Sequence, residues 1–239
     1  MLNSIKYDWL RRWKFFLAGI VVFLIVNADL IFHFVHKKDP NLMSAFFWAL
    51  LFGLCVALVI DHMGRLYRSL FTDEGLLDFA LPLNGYQFLG AKLLAVVFEC
   101  IAVVLLGGTV LYFDLKYAES IYKNLHLPPL TGEIFIEIFQ VAVLLIAGYL
   151  IFILMVYLSL ALAKSIFAPL KHGKLVAFLC FLAIGKIMDV LSDILGISSS
   201  YIIHGPGVII ASTDWLVVAV SIIVLYTGTA YLLDRKVNL

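Results

Sequence analysis

The sequence predicts an all-α membrane protein with six transmembrane helices. Of the 239 residues, 64% are hydrophobic and 14% are charged, and the mean hydropathy is +1.06, whereas roughly a quarter of a soluble domain is charged. Six apolar runs reach the length of about 20 residues that a membrane-spanning helix needs. They occupy residues 15–35, 42–61, 87–113, 134–163, 175–195 and 213–233. Because these runs do not alternate with polar residues, helices are favoured over a β-barrel.

Residues 1–14, ahead of the first run, are expected to form an amphipathic helix lying in the membrane interface. Apolar side chains recur there at three- and four-residue steps, which places them on one helical face. They are Leu2, Ile5, Trp9 and Trp13. Cations occupy the other faces, where they meet lipid phosphates, and the tryptophans suit headgroup depth. A frayed basic leader is the alternative.

Lysine and arginine are distributed unevenly between the two sides of the predicted bundle. With the amino terminus inside, the inner segments hold twelve of these residues, the outer segments hold four, and Lys186 lies within the fifth run. Because basic connections are retained in the cytoplasm, we expect both termini to be cytoplasmic. The chain then begins with an interfacial segment at residues 1–14. The three pairs of spans occupy 15–61, 87–163 and 175–239, the last range including the tail. The two cytoplasmic connections are 62–86 and 164–174.

An acidic segment interrupts the apolar chain inside the first cytoplasmic connection. A stripe at helical spacing leads into it from the second run, formed by Met63, Leu66, Tyr67, Leu70 and Phe71. Thr72 is placed to cap a new helix, with Asp73 and Glu74 in its first turn, where the helix dipole favours anions. Pro82 ends that helix, because the residue before proline avoids the α region, and Asn84 resembles the start of a capping box opening the third helix. The segment is either a solvated linker or a docking helix for a soluble partner.

The stretch LFTDEGLLDFALPLNGYQFLGAKLL resembles the cytoplasmic segment of ABC-2-type permeases, the membrane subunits of a class of bacterial ATP-driven exporters. A (D/E)-E-G-x-L-x-x-x-L-P pattern, a polar turn and a lysine opening the third helix recur in that family. The matching residues are Asp73, Glu74, Gly75, Leu77, Leu81, Pro82 and Lys92. The final stretch LLDRKVNL is also similar to the family's basic tail ending in Asn-Leu.

The resemblance implies that residues 72–81 are a coupling helix, seated in a groove of a separate ATP-binding subunit. The implied docking residues are Thr72, Asp73, Glu74, Gly75, Leu76, Leu77, Leu81 and Pro82. The resemblance also implies a second, smaller contact with the ATPase in the second connection, through Lys164, Lys171 and Lys174. These lysines equally suit an ordinary basic cytoplasmic loop. A complete unit has two ATPases, which bind ATP and Mg, and a second permease, identical or homologous, in the bacterial plasma membrane.

The chain is not expected to be an enzyme by itself or to bind a cofactor. It contains no G-x-x-x-x-G-K-[ST] sequence and none of the H-E-x-x-H or G-x-S-x-G motifs of hydrolases. A net charge of +1 gives no case for nucleic acid. The three cysteines are expected to be buried thiols rather than metal ligands or disulfides, because they lie in apolar runs without C-x-x-C spacing. They are Cys55, Cys100 and Cys180.

Ionisable residues inside the apolar runs are costly in a bilayer, so each must face protein or water. Lys186 and Asp189 are three residues apart and share a helical face. They form either a self-satisfied structural ion pair or a polar lining of the translocation path or of a subunit interface. Glu99, deep in the third run, is the main candidate lining residue there. Residues 196–212, with a His-Gly-Pro-Gly break, are expected to form a re-entrant segment similar to one in the permease family.

An ion-gradient-driven secondary transporter is the alternative function. It is favoured by the embedded acids and by a break expected at Gly107-Gly108, but the sequence lacks the paired broken helices typical of that class. For either function, small loops and aromatic-rich spans suit a hydrophobic or amphipathic substrate. By analogy with compact permeases that the chain resembles, the expected substrate is an amphipathic peptide or an antimicrobial compound, and a lipid or a drug fits the composition equally well.

Overall fold

A computed structural model of the chain describes residues 2–35, 40–72, 84–121, 131–165, 173–194 and 212–235. In these residues all regular secondary structure is helical. The helices are α1 (Leu2–Val35), α2 (Pro40–Phe71), α3 (Gly85–Ile121), α4 (Gly132–Ser165), α5 (Gly173–Ile194) and α6 (Ser212–Arg235). The all-α prediction is confirmed for this part of the chain. The expected re-entrant segment at 196–212 falls almost wholly outside it.

Five of these helices contain a stretch long and apolar enough to cross a membrane. The stretches are Phe16–His33, Phe47–Phe71, Gly85–Ser120, Ile134–Ser165 and Trp215–Asp234. They indicate a multi-pass membrane protein. Helix α5 is not among them, and its second half contains Lys186, Asp189 and Asp193. A sixth crossing at α5 therefore stays a prediction.

Helix α1 is continuous from Leu2 to Val35, so residues 1–14 are not separated from the first span by a break in the helix. No glycine, proline or strong capping residue lies between Trp13 and Phe16, so nothing in the sequence ends the helix there. The interfacial position of its first turns stays a prediction.

Helix α3 also runs without interruption through Gly107 and Gly108. The break expected at this pair is wrong. In an apolar environment each backbone N–H and C=O must be satisfied within the helix, so two glycines alone do not open it.

The described chain divides into two compact units, and α2 and α3 each contribute to both. Unit 1 comprises Met63–Val97 and Leu130–Leu239, and unit 2 comprises Leu2–His62 and Phe98–Pro129. In unit 1, α4 packs against α5 and α6. Its fully buried residues include Ile153, Leu154, Tyr157 and Ala161. Gly228 of α6 lies at the contact with α4, because a Cβ added there would be at ordinary van der Waals distance, 3.8 Å, from Leu158 Cδ1.

Among its described residues, unit 2 has little apolar core of its own. Only 6% of the Phe16–His33 stretch is buried, so most of its surface suits lipid or another protein. Inside the unit, the Phe23 and Phe47 rings lie 6.1 Å apart, and Asn27 Nδ2 donates to Asp114 Oδ1 at 3.2 Å.

The cysteines are less buried than the sequence predicted. Cys55 is exposed, and Cys100 and Cys180 are partly exposed, so the prediction of buried thiols is wrong for Cys55. The apolar runs led to that prediction, but an apolar run that faces lipid does not need a protein neighbour.

Candidate functional site

Helix α2 continues beyond the predicted second span, at the end that the sequence predicts to be cytoplasmic. The predicted stripe from Met63 to Phe71 is helical throughout, and its members pack in or against the core of unit 1. Thr72 closes this helix, because its N–H and its hydroxyl both donate to Arg68 O, at 3.1 Å and 2.6 Å. The other predicted docking residues, in 73–82, lie outside the described residues, as does Lys171.

Two of the predicted contact lysines lie against aromatic rings at this end of α2. Tyr67 and Phe71 stack with their centroids 4.9 Å apart and their planes at 17°. Lys164 Nζ lies 5.4 Å from the Phe71 centroid, and Lys174 Nζ lies 5.5 Å from that of Tyr67. Cation–π attraction at such distances favours these positions. We call these residues, with Thr72, the aromatic–lysine surface.

The backbone brings the start of α5 to the same place. A Cβ added to Gly173 would lie 3.6 Å from Phe71 Cε1. The end of α4 is equally near, since Lys164 is in its last turn. The ends of α2, α4 and α5 therefore form one surface, which the sequence placed on two separate loops.

The turns on either side of residues 73–83 are fixed in the core of unit 1. On α2, Leu66 is fully buried and Leu70 is 2% exposed. On α3, Phe88 and Leu89 are buried in the same apolar cluster, which continues into α4 and α6. The acidic segment thus connects two helix ends that cannot move without the core.

The first turn of α3 is attached to the second half of α6. Gly85 N donates to Asp234 Oδ1 at 3.1 Å, and Tyr226 Oη donates to Tyr86 O at 2.7 Å. The carboxylate satisfies an unpaired N–H at a helix N-terminus, where the dipole favours an anion. The helix begins after Asn84, whose carbonyl accepts from Phe88 N at 3.0 Å, so the predicted start is confirmed. No local pattern in the sequence indicates Asp234 as the partner, since it is 149 residues from Gly85.

Glycine at position 85 permits this attachment. A Cβ there would lie 2.6 Å from Ala230 O, 2.8 Å from Asp234 N and 3.0 Å from Asp234 Cβ. Two of these three are backbone atoms of α6, which cannot rotate away as a side chain would. Any larger residue at 85 must therefore separate the two helices.

The buried face of α2 includes polar side chains that do not belong to the predicted apolar stripe. Its buried positions recur at steps of three and four: His62, Arg65, Leu66, Ser69 and Leu70. This is the spacing of one helical face. Three of the five are polar, and a search for polar residues at that spacing would have found them.

Glu99, the predicted lining residue of the third span, is buried in unit 2. Its side chain is 9% exposed, and its Oε2 lies 2.7 Å from His62 Nε2, whose side chain is 2% exposed. Such a buried pair in a membrane segment is expensive to form and indicates a functional or an anchoring role. The structure places Glu99 against protein, and its role as a path lining stays a prediction.

Lys92, the lysine of the permease-like pattern, is also buried. It is 6% exposed, and its Nζ lies 4.8 Å from the Phe88 ring centroid. The ammonium group thus sits close to the helix end that follows the acidic segment.

Lys186 and Asp189 form the predicted ion pair. Lys186 Nζ donates to Asp189 Oδ2 at 2.7 Å, and the side chains are 73% and 61% exposed. Their shared helical face is therefore confirmed. The two charges satisfy each other within one helix, as the structural ion pair requires, and their exposure is also compatible with a polar lining that a partner or water covers.

No metal centre and no known relative identifies these features. Among the described residues, no group of three or more His, Cys, Asp or Glu side chains could hold a metal ion. Comparisons of the chain with protein-family models, curated proteins and solved structures find no match.

Proposed function

We propose that the chain is the membrane-spanning subunit of an ABC exporter, which moves a hydrophobic or amphipathic substrate out of a bacterial cell using ATP hydrolysed by a separate subunit. The main support is the aromatic–lysine surface. It joins the two segments for which the permease resemblance implies ATPase contacts, one starting at Thr72 and the other between Lys164 and Lys174. In this proposal the chain crosses the plasma membrane six times, α5 included, with both termini in the cytoplasm.

Rigid flanks support the docking role of residues 72–82. A segment that receives force from an ATPase moves the membrane helices only if its ends are fixed to them. Leu66 and Leu70 precede it and Phe88 and Leu89 follow it, all buried in one apolar cluster. Because close-packed interiors transmit displacement rather than absorb it, pushing the segment shifts α2 and α3 with the core of unit 1.

The charges at this end also suit a protein partner. Asp73 and Glu74 are anionic, while Lys164 and Lys174 are cationic and lie close to the end of α2. Complementary charges of both signs set the register of an interface more than its affinity. Two ATPases then bind two permeases, which form a homodimer or a heterodimer, and the ATPases hold the ATP and Mg. In this proposal the second permease or the translocation path covers the exposed Lys186–Asp189 pair.

Co-purification of the tagged full-length protein from its own cells tests this function. The native protein is expected to retain a P-loop ATPase, and the variant Asp73→Ala/Glu74→Ala/Leu77→Ala is expected to lose it. The control is Lys116→Ala/Glu119→Ala, which removes an exposed ion pair of 2.9 Å in unit 2 and should leave the ATPase bound. Absence of an ATPase from the native protein, or equal retention in all three, contradicts the proposal.

An ion-gradient-driven transporter is the second candidate, and the buried His62–Glu99 pair favours it. Such a carrier works without an ATPase and depends on the buried carboxylate. In vesicles with an imposed proton gradient and no ATP, a carrier would transport substrate, and Glu99→Gln would abolish that transport. An ABC exporter would show no transport under these conditions with either form of the protein.

A further inference from the structure

Unit 1 contains a cavity of about 440 Å³ next to the aromatic–lysine surface. This volume lies within the range of about 300–1,000 Å³ that is typical of small-molecule sites. Helices α2, α4 and α5 form its walls, and its apolar lining includes Gly64, Phe152, Val156, Phe178 and Phe181. The ring of Phe152 meets that of Phe181 edge-on at 5.8 Å. The cavity is therefore suited to hydrocarbon.

One charged side chain, Lys174, lines the cavity, and no carboxylate does so among the described residues. Lys174 is in the first turn of α5, and Phe181 lies seven residues further on. Along a helix, that separation is about 10 Å, or roughly two-thirds of one leaflet of the hydrocarbon core. The cavity is thus an apolar slot with an ammonium group at one end.

The slot is open towards the surroundings of α5. Phe178, which forms part of its wall, is 59% exposed. With the proposed crossing of the membrane by α5, the surroundings of this first half of the helix are lipid. Lys174 directly precedes the apolar part of α5, so the proposed crossing of the membrane by α5 would put its ammonium group at headgroup depth. Among the described residues, no carboxylate pairs with it, and its Nζ contacts only the face of Tyr67.

We infer that this cavity binds an acyl chain of an anionic phospholipid, with the phosphate beside Lys174. The apolar wall takes the chain and the lysine takes the charge, and basic pockets between helices at a membrane surface recognise lipid headgroups in this way. By the distribution of lysine and arginine, the lipid comes from the cytoplasmic leaflet. The inference rests on the proposed crossing of the membrane by α5 and does not rest on the exporter function. Lys174 also belongs to the proposed ATPase contact, so the lipid phosphate would share this ammonium group with that interface.

Native mass spectrometry of the detergent-purified full-length protein tests this inference. The probes are phosphatidylglycerol and phosphatidylcholine with identical acyl chains. The native protein should retain one phosphatidylglycerol with about fivefold higher affinity than phosphatidylcholine, the factor that one lysine near a membrane surface supplies. Equal retention of the two lipids would show that the occupant is a neutral apolar molecule, and no retained lipid would show an empty cavity. Either result overturns the inference.

Two variants distinguish the contribution of the apolar cavity wall to lipid binding from that of the Lys174 charge. Gly64→Leu should abolish binding of both lipids by filling the cavity, since the nearest atom to a Cβ there is Arg68 Nη2 at 4.0 Å and leucine favours a helix more than glycine. The control Gly53→Leu lies on the same helix with nothing within 4 Å and should bind as the native protein does. Lys174→Gln should remove the preference for phosphatidylglycerol, while Lys164→Gln, the neighbouring lysine outside the cavity, should keep it.

Unchanged binding in Gly64→Leu overturns the assignment of the cavity. An equal loss of preference in Lys174→Gln and Lys164→Gln also overturns it, because the preference would then come from the general surface charge. Size-exclusion profiles show whether each variant is folded. If Gly64→Leu does not fold, the two lysine variants still decide the outcome.

Discussion

Replacing Gly85 with alanine should separate α3 from α6 at the end that the proposed function places in the cytoplasm. The new Cβ would lie 2.6 Å from Ala230 O and 2.8 Å from Asp234 N, against an optimal separation of about 3.5–4.0 Å for carbon contacts. Relief requires the helix ends to move apart, which stretches the Gly85 N–Asp234 Oδ1 hydrogen bond from 3.1 Å. Overpacking costs about 1–3 kcal/mol, and a weakened hydrogen bond adds about 0.5–1.5 kcal/mol.

We therefore expect Gly85→Ala to lower the free energy of unfolding by about 3 kcal/mol. At about 2–4 °C per kcal/mol for a chain of this size, the apparent midpoint of thermal unfolding falls by about 6–12 °C. The assay is the fraction of protein that remains monodisperse in detergent after heating. Gly107→Ala is the control, because nothing lies within 4 Å of its Cβ position and alanine favours a helix. An equal midpoint for Gly85→Ala and the native protein would refute the close approach of α3 and α6.

Three further perturbations follow from the described contacts. Asp234→Ala removes the carboxylate at the start of α3, and should lower the thermal midpoint by about 2–4 °C through the loss of about 1 kcal/mol of capping; no change would show that the cap does not contribute. His62→Ala leaves the buried Glu99 without this partner and should lower the free energy of unfolding by about 1–3 kcal/mol in the same assay. His62→Gln keeps a donor and should cost less. Equal losses of stability in the two variants would argue against the hydrogen bond. Asp189→Cys, in a chain whose three native cysteines are replaced by serine, should form a disulfide-linked dimer in membranes if α5 meets a second permease. Labelling by a water-soluble maleimide without a dimer would instead assign that surface to a water-filled path.

Local features of this chain follow from its sequence because they depend on helical geometry alone. The α2 stripe from Met63 to Phe71 forms as predicted, since apolar side chains at three- and four-residue steps share a face. The Lys186–Asp189 pair forms for the same reason. In both cases each residue lies within two turns of its partners, so no tertiary information is needed.

Contacts between distant parts of the chain were not predictable in this way. Gly85 and Asp234 are 149 residues apart, and Asn27 and Asp114 are 87 apart. The spacing of apolar residues and the local composition locate each helix but do not determine which helices are neighbours. The buried His62–Glu99 pair was missed for a related reason, because His62 was assigned to a cytoplasmic connection and Glu99 to a span. The predicted break at Gly107-Gly108 was wrong because it was based on the glycine pair alone. In lipid the backbone N–H and C=O groups must stay hydrogen-bonded within the helix, which keeps it intact.

The central claim, that a separate ATPase docks on the segment after α2, is tested most directly by site-specific crosslinking in living cells. A photoreactive amino acid is placed at Leu77, in the acidic segment, or at Leu111, which is 58% exposed on the part of α3 that belongs to unit 2. We predict a crosslinked product at Leu77 that contains an ATPase with a G-x-x-x-x-G-K-[ST] sequence, and no such product at Leu111. Absence of that ATPase from the Leu77 product, or its presence at both positions, would contradict the account.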